Sequence, residues 1–382
     1  MGRPIAWVLT LALIALGETA CAAPTAGPQP QAVEDTYVPE PAGITVTSWV
    51  EGLEAPWSLV FLADGRALVS ERAGRIRLIE NGRLAPRPYA EIAVAEGGEG
   101  GLMGLALHPR FPAEPFVYAM HTHQEEGRLT NRVIRLIDTG QGLRFDRVVV
   151  AGLPGARFHD GGRIGFGPDG MLYVGTGETF QAELAQDRAS LGGKVLRLTP
   201  EGQVPADNPF PGSPIFSLGH RNVQGLAWHP ASGALFLSEH GPSGEYGLRA
   251  HDEINLGRAG GNFGWPRAVG APSLAGLIDP LAAWPRHTTP PSGMAFWRGE
   301  LYVATLRSQA LLRLRLADQA AGYRVTAVER WFVTAGDEGR YGRLRDAVAG
   351  PDGALYVLTN NRDGRGRPQP GDDRILRLQA RP

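Results

Sequence analysis

Four polar stretches of this 382-residue sequence combine residue types that can do chemistry. They are HDGGR at 159–163, GHRNVQG at 219–225, EHGPSGEYGLRAHDEINLGRAGGNFGW at 239–265 and YGRLRDAVAGPDG at 341–353. A loop histidine such as His159 can serve as a general base, but loop histidines are more often structural or simply exposed. The residue type alone leaves both roles open.

Two roles are open to three of the arginines in these stretches as well. If Arg221, Arg343 and Arg345 converge, their forked donors form an anion site that suits carboxylates. The commoner role of an arginine is a surface ion pair, and Asp346 and Glu338 are available as partners. Only their relative positions in the fold can separate these roles.

The third stretch contains groups that could bind a hard cation. Calcium prefers oxygen ligands, and the backbone carbonyls of Gly241 and Pro242 and the adjacent carboxylates of Asp252 and Glu253 supply them. The alternative is that Gly241 and Pro242 form an ordinary turn and that the two carboxylates are solvated.

A repeat that runs through most of the chain must position these residues. Each copy is an apolar strand, a turn with Gly, a second strand and an alternating strand such as RIRL or VLRL; six copies begin near 57, 105, 164, 226, 294 and 347. Regular strand units without a long amphipathic helix are typical of blades around a channel. The sequence predicts an all-β fold, a six-bladed β-propeller with four-stranded antiparallel blades, whose ring is closed by ITVTSWV at 44–50. Because the loops at one end of the channel converge, the polar stretches can share one pocket.

Composition and the N-terminus bound the class of protein. With 38 basic and 39 acidic residues the net charge is −1, which argues against a nucleic-acid partner. A positive start, a short apolar run and small residues around Cys21 predict a signal peptide over residues 1–22, export to the periplasm or secretion, and no transmembrane segment in the mature chain. A lipid anchor through Cys21 is the less favoured alternative. The Pro- and Ala-rich residues 23–42 are predicted to be a tether, which leaves 43–382 as the propeller domain.

Seven motifs, taken in order, resemble one known family. They are GGLMGLALHPRF, HDGGRIGFGPDG, GGKVLRLTPEGQVPADNPF, GHRNVQG, SEHGP followed by DEIN and GGNFGWP, PSGMAF, and RLRDAVAGPDG. Together with the repeats they make residues 45–380 similar to the soluble quinoprotein sugar dehydrogenases, the aldose and glucose dehydrogenases that use pyrroloquinoline quinone (PQQ) and calcium. The resemblance implies that 43–382 is a catalytic domain, a monomer or homodimer, that acts on an aldose sugar and passes electrons to an unknown acceptor.

The resemblance also implies roles for single residues. His159 is similar to the family's general base, and Glu178 to the acidic residue that orients that base. The residues that resemble cofactor contacts are Arg221, Asn222, Arg307, Arg343, Arg345, Glu99 and Gln181. Two of these depart from the family pattern, because Glu99 stands where some members have glutamine and Arg307 where members have lysine.

The metal sites implied by the resemblance fall on the third stretch. Gly241 and Pro242 resemble the carbonyl ligands of the calcium that sits on the cofactor, and Asp252 and Glu253 resemble part of a second, structural calcium site. The segment between GP and DEIN is longer than the family pattern, which bears most on this second site.

The implied reaction is oxidation of an aldose at the anomeric carbon to a lactone, with a hydride passed to calcium-activated quinone and His159 as general base. Two other functions fit a propeller: a calcium-dependent lactonase-type hydrolase and a non-catalytic binding propeller. A hydrolase of that kind is expected to place several acidic metal ligands at the channel. The candidate residues here are mainly arginines, which favours the dehydrogenase.

Overall fold

Six antiparallel sheets follow one another along the chain and pack side by side around a central channel. The computed structural model describes residues 23–320, 322–336 and 338–381, so the predicted signal peptide, with Cys21, lies outside the described residues. The inner strand of each sheet contacts the neighbouring sheet, and the last sheet contacts the first. The predicted six-bladed β-propeller is therefore confirmed.

The first three blades are formed by consecutive strands, which follow one another from the channel outward. Blade 1 contains Pro56–Phe61, Ala67–Glu71 and Arg75–Glu80, with the short edge strands Arg83–Leu84 and Ala90–Glu91. Blade 2 contains Leu102–Leu107, Phe116–Glu125, Arg128–Asp138 and Leu143–Pro154. Blade 3 contains Ile164–Phe166, Leu172–Gly175, Lys194–Leu198 and Ile215–Leu218.

The last three blades complete the ring. Blade 4 contains Val223–Trp228, Leu235–Glu239, Asp252–Leu256 and Ala282–Trp284. Blade 5 contains Pro291–Trp297, Glu300–Thr305, Leu311–Gln319 and Gly322–Trp331. Blade 6 contains Leu344–Ala349, Leu355–Thr359 and Ile375–Ala380, and its outer strand is Ile44–Val50. The predicted closure of the ring by residues 44–50 is confirmed.

The hydrophobic core is divided among the interfaces between blades. Six apolar clusters lie mainly between two adjacent blades each, as Leu68 of blade 1 packs with Val117 of blade 2. The alternating strands place one face on this core, since alternate side chains of a strand point to opposite faces. The channel itself is polar: Arg163 of blade 3 and Asp346 of blade 6 form an ion pair of 2.8 Å there. Burying the apolar side chains between blades leaves the channel free for polar groups.

The N-terminal residues are bound to the propeller rather than forming a tether. Thr25–Ala26 pairs in parallel with Ala268–Val269, and Asp35–Val38 adds a parallel fifth strand to the outer edge of blade 5. Between them the Gln31 side chain exchanges two hydrogen bonds of 3.0 Å with the backbone of Ala283. The prediction of a tether for residues 23–42 was wrong, because composition does not reveal hydrogen bonds to distant strands.

Helical structure in the described residues is limited to two short 3-10 turns, Ala182–Ala185 and Glu245–Gly247. Across those residues, none of the helical segments has the length and apolar character needed to cross a membrane. Ala182–Ala185 lies in the loop after Glu178 and Glu245–Gly247 within the third polar stretch, and residues of both line one cavity.

Candidate functional site

A cavity of about 220 Å3 lies at the end of the propeller where the inner strands begin. It is lined by Glu99, His159, Arg221, His240, Pro242, Ser243, Asp252, Thr288, Pro290, Leu306, Arg307, Arg343 and Arg365. The polar stretches from blades 3, 4 and 6 therefore share one pocket, as expected for converging propeller loops.

The predicted site residues divide into those that line the cavity and those that support it. The lining includes Glu99, His159, Arg221, Pro242, Asp252, Arg307 and Arg343. Asn222 and Arg345 are buried close by, and Gly241 and Glu253 are adjacent in sequence to lining residues. Glu178 and Gln181 line a second cavity of about 500 Å3.

His159 is held by a partner on each ring nitrogen. Its Nδ1 lies 2.5 Å from Oε1 of Glu178, and its Nε2 lies 3.0 Å from Nη2 of Arg221. An arginine can only donate, so Nε2 accepts and the ring proton is on Nδ1, which donates to Glu178. The imidazole is therefore in the neutral tautomer whose Nε2 lone pair faces the cavity side, as a general base requires.

The glycines that follow His159 explain how the backbone can approach so closely. Gly161 and Gly162 have φ of 69° and 114°, in the region that favours glycine. A Cβ on Gly161 would lie 2.5 Å from the carbonyl oxygen of Gly175, and one on Gly162 would lie 2.7 Å from Sδ of Met103. The glycines are needed for packing, and this packing fixes the position of the histidine.

The arginines are buried, and their partners differ from the ion pairs considered from the sequence. Arg221 pairs with Glu245 at 2.5 Å, Arg343 with Asp363 at 2.8 Å, and Arg345 donates to Gln224 at 3.0 Å. The two carboxylates proposed as surface partners, Asp346 and Glu338, pair instead with Arg163 and Arg367. Pairing of the site arginines with those two residues was therefore wrong.

Several buried donors at this end of the channel have no partner. Within the described chain, Nε of Arg221, Nδ2 of Asn222 and Nε of Arg345 are buried without a hydrogen bond. Burial also lowers the pKa of Arg345 to about 9. Buried donors without acceptors are costly, and a group rich in anionic oxygen would satisfy them. The residues present therefore fit a cofactor that carries carboxylates.

Glu99 and Arg365 form an ion pair beside the buried His240 on one side of the cavity. Glu99 accepts hydrogen bonds from the backbone N–H of His159 at 3.1 Å and from Arg365 at 2.8 Å. Burial opposes the charge of Glu99, but its positive neighbours, of which Arg365 is permanently charged, outweigh burial and hold the pKa of Glu99 below its ordinary value. Burial lowers the pKa of His240 to about 3. The sequence did not single out His240, Arg365 or Glu245. Arg365 and Glu245 lie in irregular loops, whereas His240 directly follows the strand Leu235–Glu239 within the SEHGP motif, which was the signal that could have found it.

The predicted metal-binding residues are connected by hydrogen bonds. The backbone N–H of Gly241 donates to Oδ1 of Asp252 at 3.0 Å, and that of Thr289 donates to Oδ2 at 2.6 Å. Burial raises the pKa of Asp252 to about 6, and burial together with the Glu239 carboxylate raises that of Glu253. The described residues contain no group of three His, Cys, Asp or Glu side chains arranged for a metal ion. Calcium binding by the Gly241 and Pro242 carbonyls, and at the second site, stays a prediction.

The second cavity lies on the Glu178 side of His159. Its lining combines carboxylates with apolar and aromatic side chains: Glu178, Phe180, Gln181, Ala182, Glu183, Leu184, Glu245, Tyr246 and Trp265. The ring of Phe180 lies over the imidazole of His159, with centroids 4.0 Å apart. One face of the histidine is thereby covered by an aromatic side chain.

Lys194, the single lysine of the chain, fixes the loop that follows Glu178. Its Nζ donates to the carbonyl oxygens of Leu184, Ala185 and Gly192 at 2.5, 3.1 and 2.7 Å. The side chain is fully buried, and burial lowers the pKa of Lys194 to about 8. Three tetrahedral donors on one compact head suit three carbonyls better than a planar guanidinium would.

Fold and cavity together define a six-bladed β-propeller with an arginine-lined pocket at one end of its channel. Residues 53–376 match the family model described as glucose/sorbosone dehydrogenase, and the chain belongs to this family. The family predicted from the seven motifs is therefore confirmed.

Known relatives cover nearly the whole propeller. The chain is 32% identical to the aldose sugar dehydrogenase YliI of Escherichia coli over 357 residues, which are 85% of this chain and 92% of that one. It resembles the PQQ-bound structure of an aldose sugar dehydrogenase from Streptomyces coelicolor, with 41% identity, a TM-score of 0.78 and coverage of 89% and 99% of the two chains. A structure from Thermus thermophilus described as an oxidoreductase (glucose dehydrogenase) has 56% identity, a TM-score of 0.82 and coverage of 88% and 100%.

Proposed function

We propose that this protein oxidises aldose sugars at the anomeric carbon to lactones, with PQQ and calcium as its cofactors. The observation that carries the proposal is the His159 ring, held between Glu178 and Arg221 at the edge of a cavity with four lining arginines. The family and the relatives support it, because they include an aldose sugar dehydrogenase and a PQQ-bound structure.

The arginine-rich wall is suited to the charge of the cofactor. PQQ carries three carboxylates and an ortho-quinone, and the residues that would hold it are Arg221, Asn222, Arg307, Arg343 and Arg345. Three of these present buried donors without acceptors, which an anion would satisfy. When bound, PQQ activated by calcium at the Gly241 and Pro242 carbonyls supplies the hydride acceptor.

His159 provides the proton acceptor for the same step. A substrate hydroxyl placed at Nε2 can donate its proton to the lone pair that now accepts from Arg221. Glu178 then stabilises the resulting imidazolium through its bond to Nδ1 and holds the ring in the correct tautomer. His159 would take the proton of the anomeric O–H, and the bound cofactor would accept the anomeric hydride, so that the hemiacetal carbon would become the carbonyl carbon of a lactone.

The proposal extends to the cellular location and to the partners of the enzyme. A signal peptide over residues 1–22 would direct the enzyme to the periplasm or the medium. There it would bind PQQ and an aldose, and an external acceptor would reoxidise the cofactor. Lipid attachment at Cys21 is the alternative, and a monomer or homodimer is the proposed form. Cell fractionation of a tagged full-length chain tests the location, and the mass of the purified protein in solution tests the oligomeric state.

Reconstitution tests the reaction itself. Protein prepared without PQQ should reduce an artificial dye with an aldose only after both PQQ and calcium are added. The matched control is His159→Gln, which keeps a polar side chain but cannot take a proton. Dye reduction that is unaffected by excess chelator and by the absence of PQQ would contradict the proposal, and calcium-dependent hydrolysis of lactones without PQQ would support the hydrolase instead.

A further inference from the structure

Residues 24–38, which we term the N-terminal strap, bridge the outer edges of blades 4 and 5. Thr25–Ala26 pairs with Ala268–Val269, Gln31 bonds the backbone of the outer strand of blade 4, and Asp35–Val38 pairs with the outer strand of blade 5. Gly27 lies so close to Ala271 that a Cβ would be 2.2 Å from its carbonyl carbon. The strap is therefore fitted to the propeller along its length.

Asp35 is the charged contact of the strap. Its carboxylate accepts hydrogen bonds from Nε1 of Trp284 at 2.9 Å and from Nε of Arg330. Arg330 is only 3% exposed, so its charge is enclosed by the fold. A buried cation needs a paired anion, and the strap supplies it.

Arg330 links this contact to the wall of the cavity. Its Nη2 donates to Oγ1 of Thr289 at 2.7 Å, and the backbone N–H of Thr289 donates to Oδ2 of Asp252 at 2.6 Å. The other oxygen of Asp252 accepts from the N–H of Gly241 at 3.0 Å. An uninterrupted series of hydrogen bonds thus runs from the strap at the blade edge to the Gly241–Pro242 turn.

A second route leads from the strap to the neighbouring carboxylate. The backbone N–H of Gly27 donates to the carbonyl of Val269 at 2.8 Å, and the next residue, Gly270, donates to Oε1 of Glu253 at 2.7 Å. Gly27 also packs against Gly270, since a Cβ there would lie 2.7 Å from the Gly27 carbonyl oxygen. Both carboxylates of the Asp252–Glu253 pair are therefore held by elements that the strap contacts.

We propose that the strap is a working part of the active site, in which Asp35 is a positioning residue that acts through Arg330, Thr289 and Asp252 on the Gly241–Pro242 turn. The cation class that this turn would bind rests on the function proposed above. The physical reason is charge balance: without the Asp35 carboxylate, the enclosed Arg330 cation is left facing Asp252, the next anion along the series. Asp252 is then drawn away from the Gly241 N–H, and the carbonyls beside it lose their fixed direction.

Hydrogen exchange tests the coupling without reference to any activity. In Asp35→Asn, the amides of Gly241 and Thr289 should exchange about tenfold faster than in the wild type, because both donate to Asp252. The matched control is Glu34→Gln, the same loss of charge one residue earlier on an exposed part of the strap. Asp35→Glu should restore much of the protection, since it returns the anion. Unchanged exchange at Gly241 and Thr289, with faster exchange confined to residues 35–38, would overturn the proposal.

A double variant tests whether Arg330 transmits the effect. In Asp35→Asn with Arg330→Met, the unpaired cation is gone, so exchange at Gly241 should be slower than in the single Asp35→Asn variant. Equal or faster exchange in the double variant would overturn the role of Arg330.

A calcium titration measures the consequence for the reaction. With the holoenzyme, Asp35→Asn should raise the half-saturating calcium concentration by about 10- to 100-fold while leaving kcat at saturating calcium close to the wild-type value. Glu34→Gln should change neither quantity. A lower kcat with unchanged calcium requirement would contradict positioning of the turn. If the wild type shows no activity that needs calcium, the proposed function fails, while the exchange experiment still decides the coupling.

Discussion

Blades 3 and 6 carry the same turn after their inner strand, at the end of the channel opposite the cavity. We call this the outer end of a blade, and the end at the cavity its inner end. Asp169 and Asp352 each accept a hydrogen bond from a tyrosine hydroxyl at 3.0 Å, from an arginine Nε at 2.9 Å and from the backbone N–H two residues on at 3.2 Å. In both, the following glycine has a positive φ, 75° at Gly170 and 77° at Gly353. The GPDG sequences thus form one structural unit used twice.

The same two blades differ at their inner end. Counting back from the turns, Arg163 and Asp346 occupy equivalent positions, and these two residues pair with each other across the channel at 2.8 Å. Gly162 and Asp160 of blade 3 correspond to Arg345 and Arg343 of blade 6. Blade 3 therefore brings a closely packed backbone and a histidine to the cavity, whereas blade 6 brings cations.

In this repeat protein the residues of the turns therefore serve the fold, and the residues at the cavity serve the site. The outer turn is held by the blade's own side chains, so it can recur unchanged. The inner residues contact other blades, so each position is free to carry a different group. Substitutions at the inner ends should change binding or turnover, and those at the outer ends should change stability.

The largest expected effect is at the inner end of blade 3. His159→Gln should lower turnover by about 100- to 10,000-fold, the usual contribution of a positioned base, because glutamine cannot take the proton. PQQ and calcium should still bind, which absorption titration can measure alongside steady-state kinetics. Loss of cofactor binding would instead make His159 a ligand, and near-normal turnover would move the base to another residue.

Asp160, next to His159, should give a pH-dependent change in stability. Burial raises its pKa to about 6, above its unfolded value, so its contribution to stability is complete below about pH 4 and lost as the pH rises through 6. Asp160→Asn cannot ionise, so it does not lose this stability as the pH rises. The difference in unfolding free energy between Asp160→Asn and the wild type should therefore shift in favour of the variant by about 3 kcal/mol from pH 4 to pH 8, at about 1.4 kcal/mol per pKa unit.

Denaturant unfolding at both pH values measures that difference. The equivalent test on blade 6 is Asp346→Asn, which leaves the buried Arg163 without its anion and should destabilise at pH 8 rather than stabilise. Burial raises the pKa of Asp346 as well, so the difference between the variants lies in the ion pair with Arg163 and not in the direction of the pH response. An Asp346→Asn variant that is more stable than the wild type at pH 8 would show that the assigned environments of the two carboxylates are wrong.

Arginines at the two ends of blade 6 should differ in their effect on cofactor binding. Arg345→Ala should weaken PQQ affinity by about 1.5–3 kcal/mol, the scale of a hydrogen bond to a charged group. The control is Arg377→Ala, which removes the arginine that bonds Asp352 in the outer turn. Equilibrium titration should show unchanged affinity in the control, and equal losses in both variants would contradict the assignment.

The smallest effects are expected in the turns themselves. Asp169→Asn and Asp352→Asn should each lower the unfolding free energy by about 1 kcal/mol, because the two carboxylates are partly exposed and their ion pairs are screened. Neither should change kcat. A loss of turnover in one variant without a loss of stability would show that the two turns are not equivalent.

The repeat made the fold predictable from the sequence. Turn glycines and alternating strands such as RILRL recur from blade to blade, and residues 44–50 had no partner other than the open edge of blade 6. The strap was missed because Gln31 and Asp35 bind blades 4 and 5 through single side chains, more than two hundred residues away. Pro- and Ala-rich composition describes such a segment in the same way as a free linker.

The candidate site was predictable where its residues lie in motifs and not where they lie in loops. His159, Arg221 and Arg343 stand at fixed distances from inner strands, and they line the cavity. Arg365 also lines it, but its position depends on how a long loop folds back. His240 lines it too and lies in the SEHGP motif directly after a strand, so it was within reach of the sequence. The arginines' true partners were equally hidden, since Asp363 and Glu245 are distinguished from other acidic residues only by the fold.

Because three backbone carbonyls surround its Nζ, Lys194 can report chemically when the loop beside Glu178 opens. Reagents that acylate amines find no other lysine side chain in the sequence, and this one is fully buried with three carbonyls around its Nζ. Acylation of Lys194 therefore requires the loop beside Glu178 to open first. The rate of acylation, measured by mass spectrometry of the peptide that contains Lys194, reports how often the loop beside Glu178, the partner of His159, opens in solution.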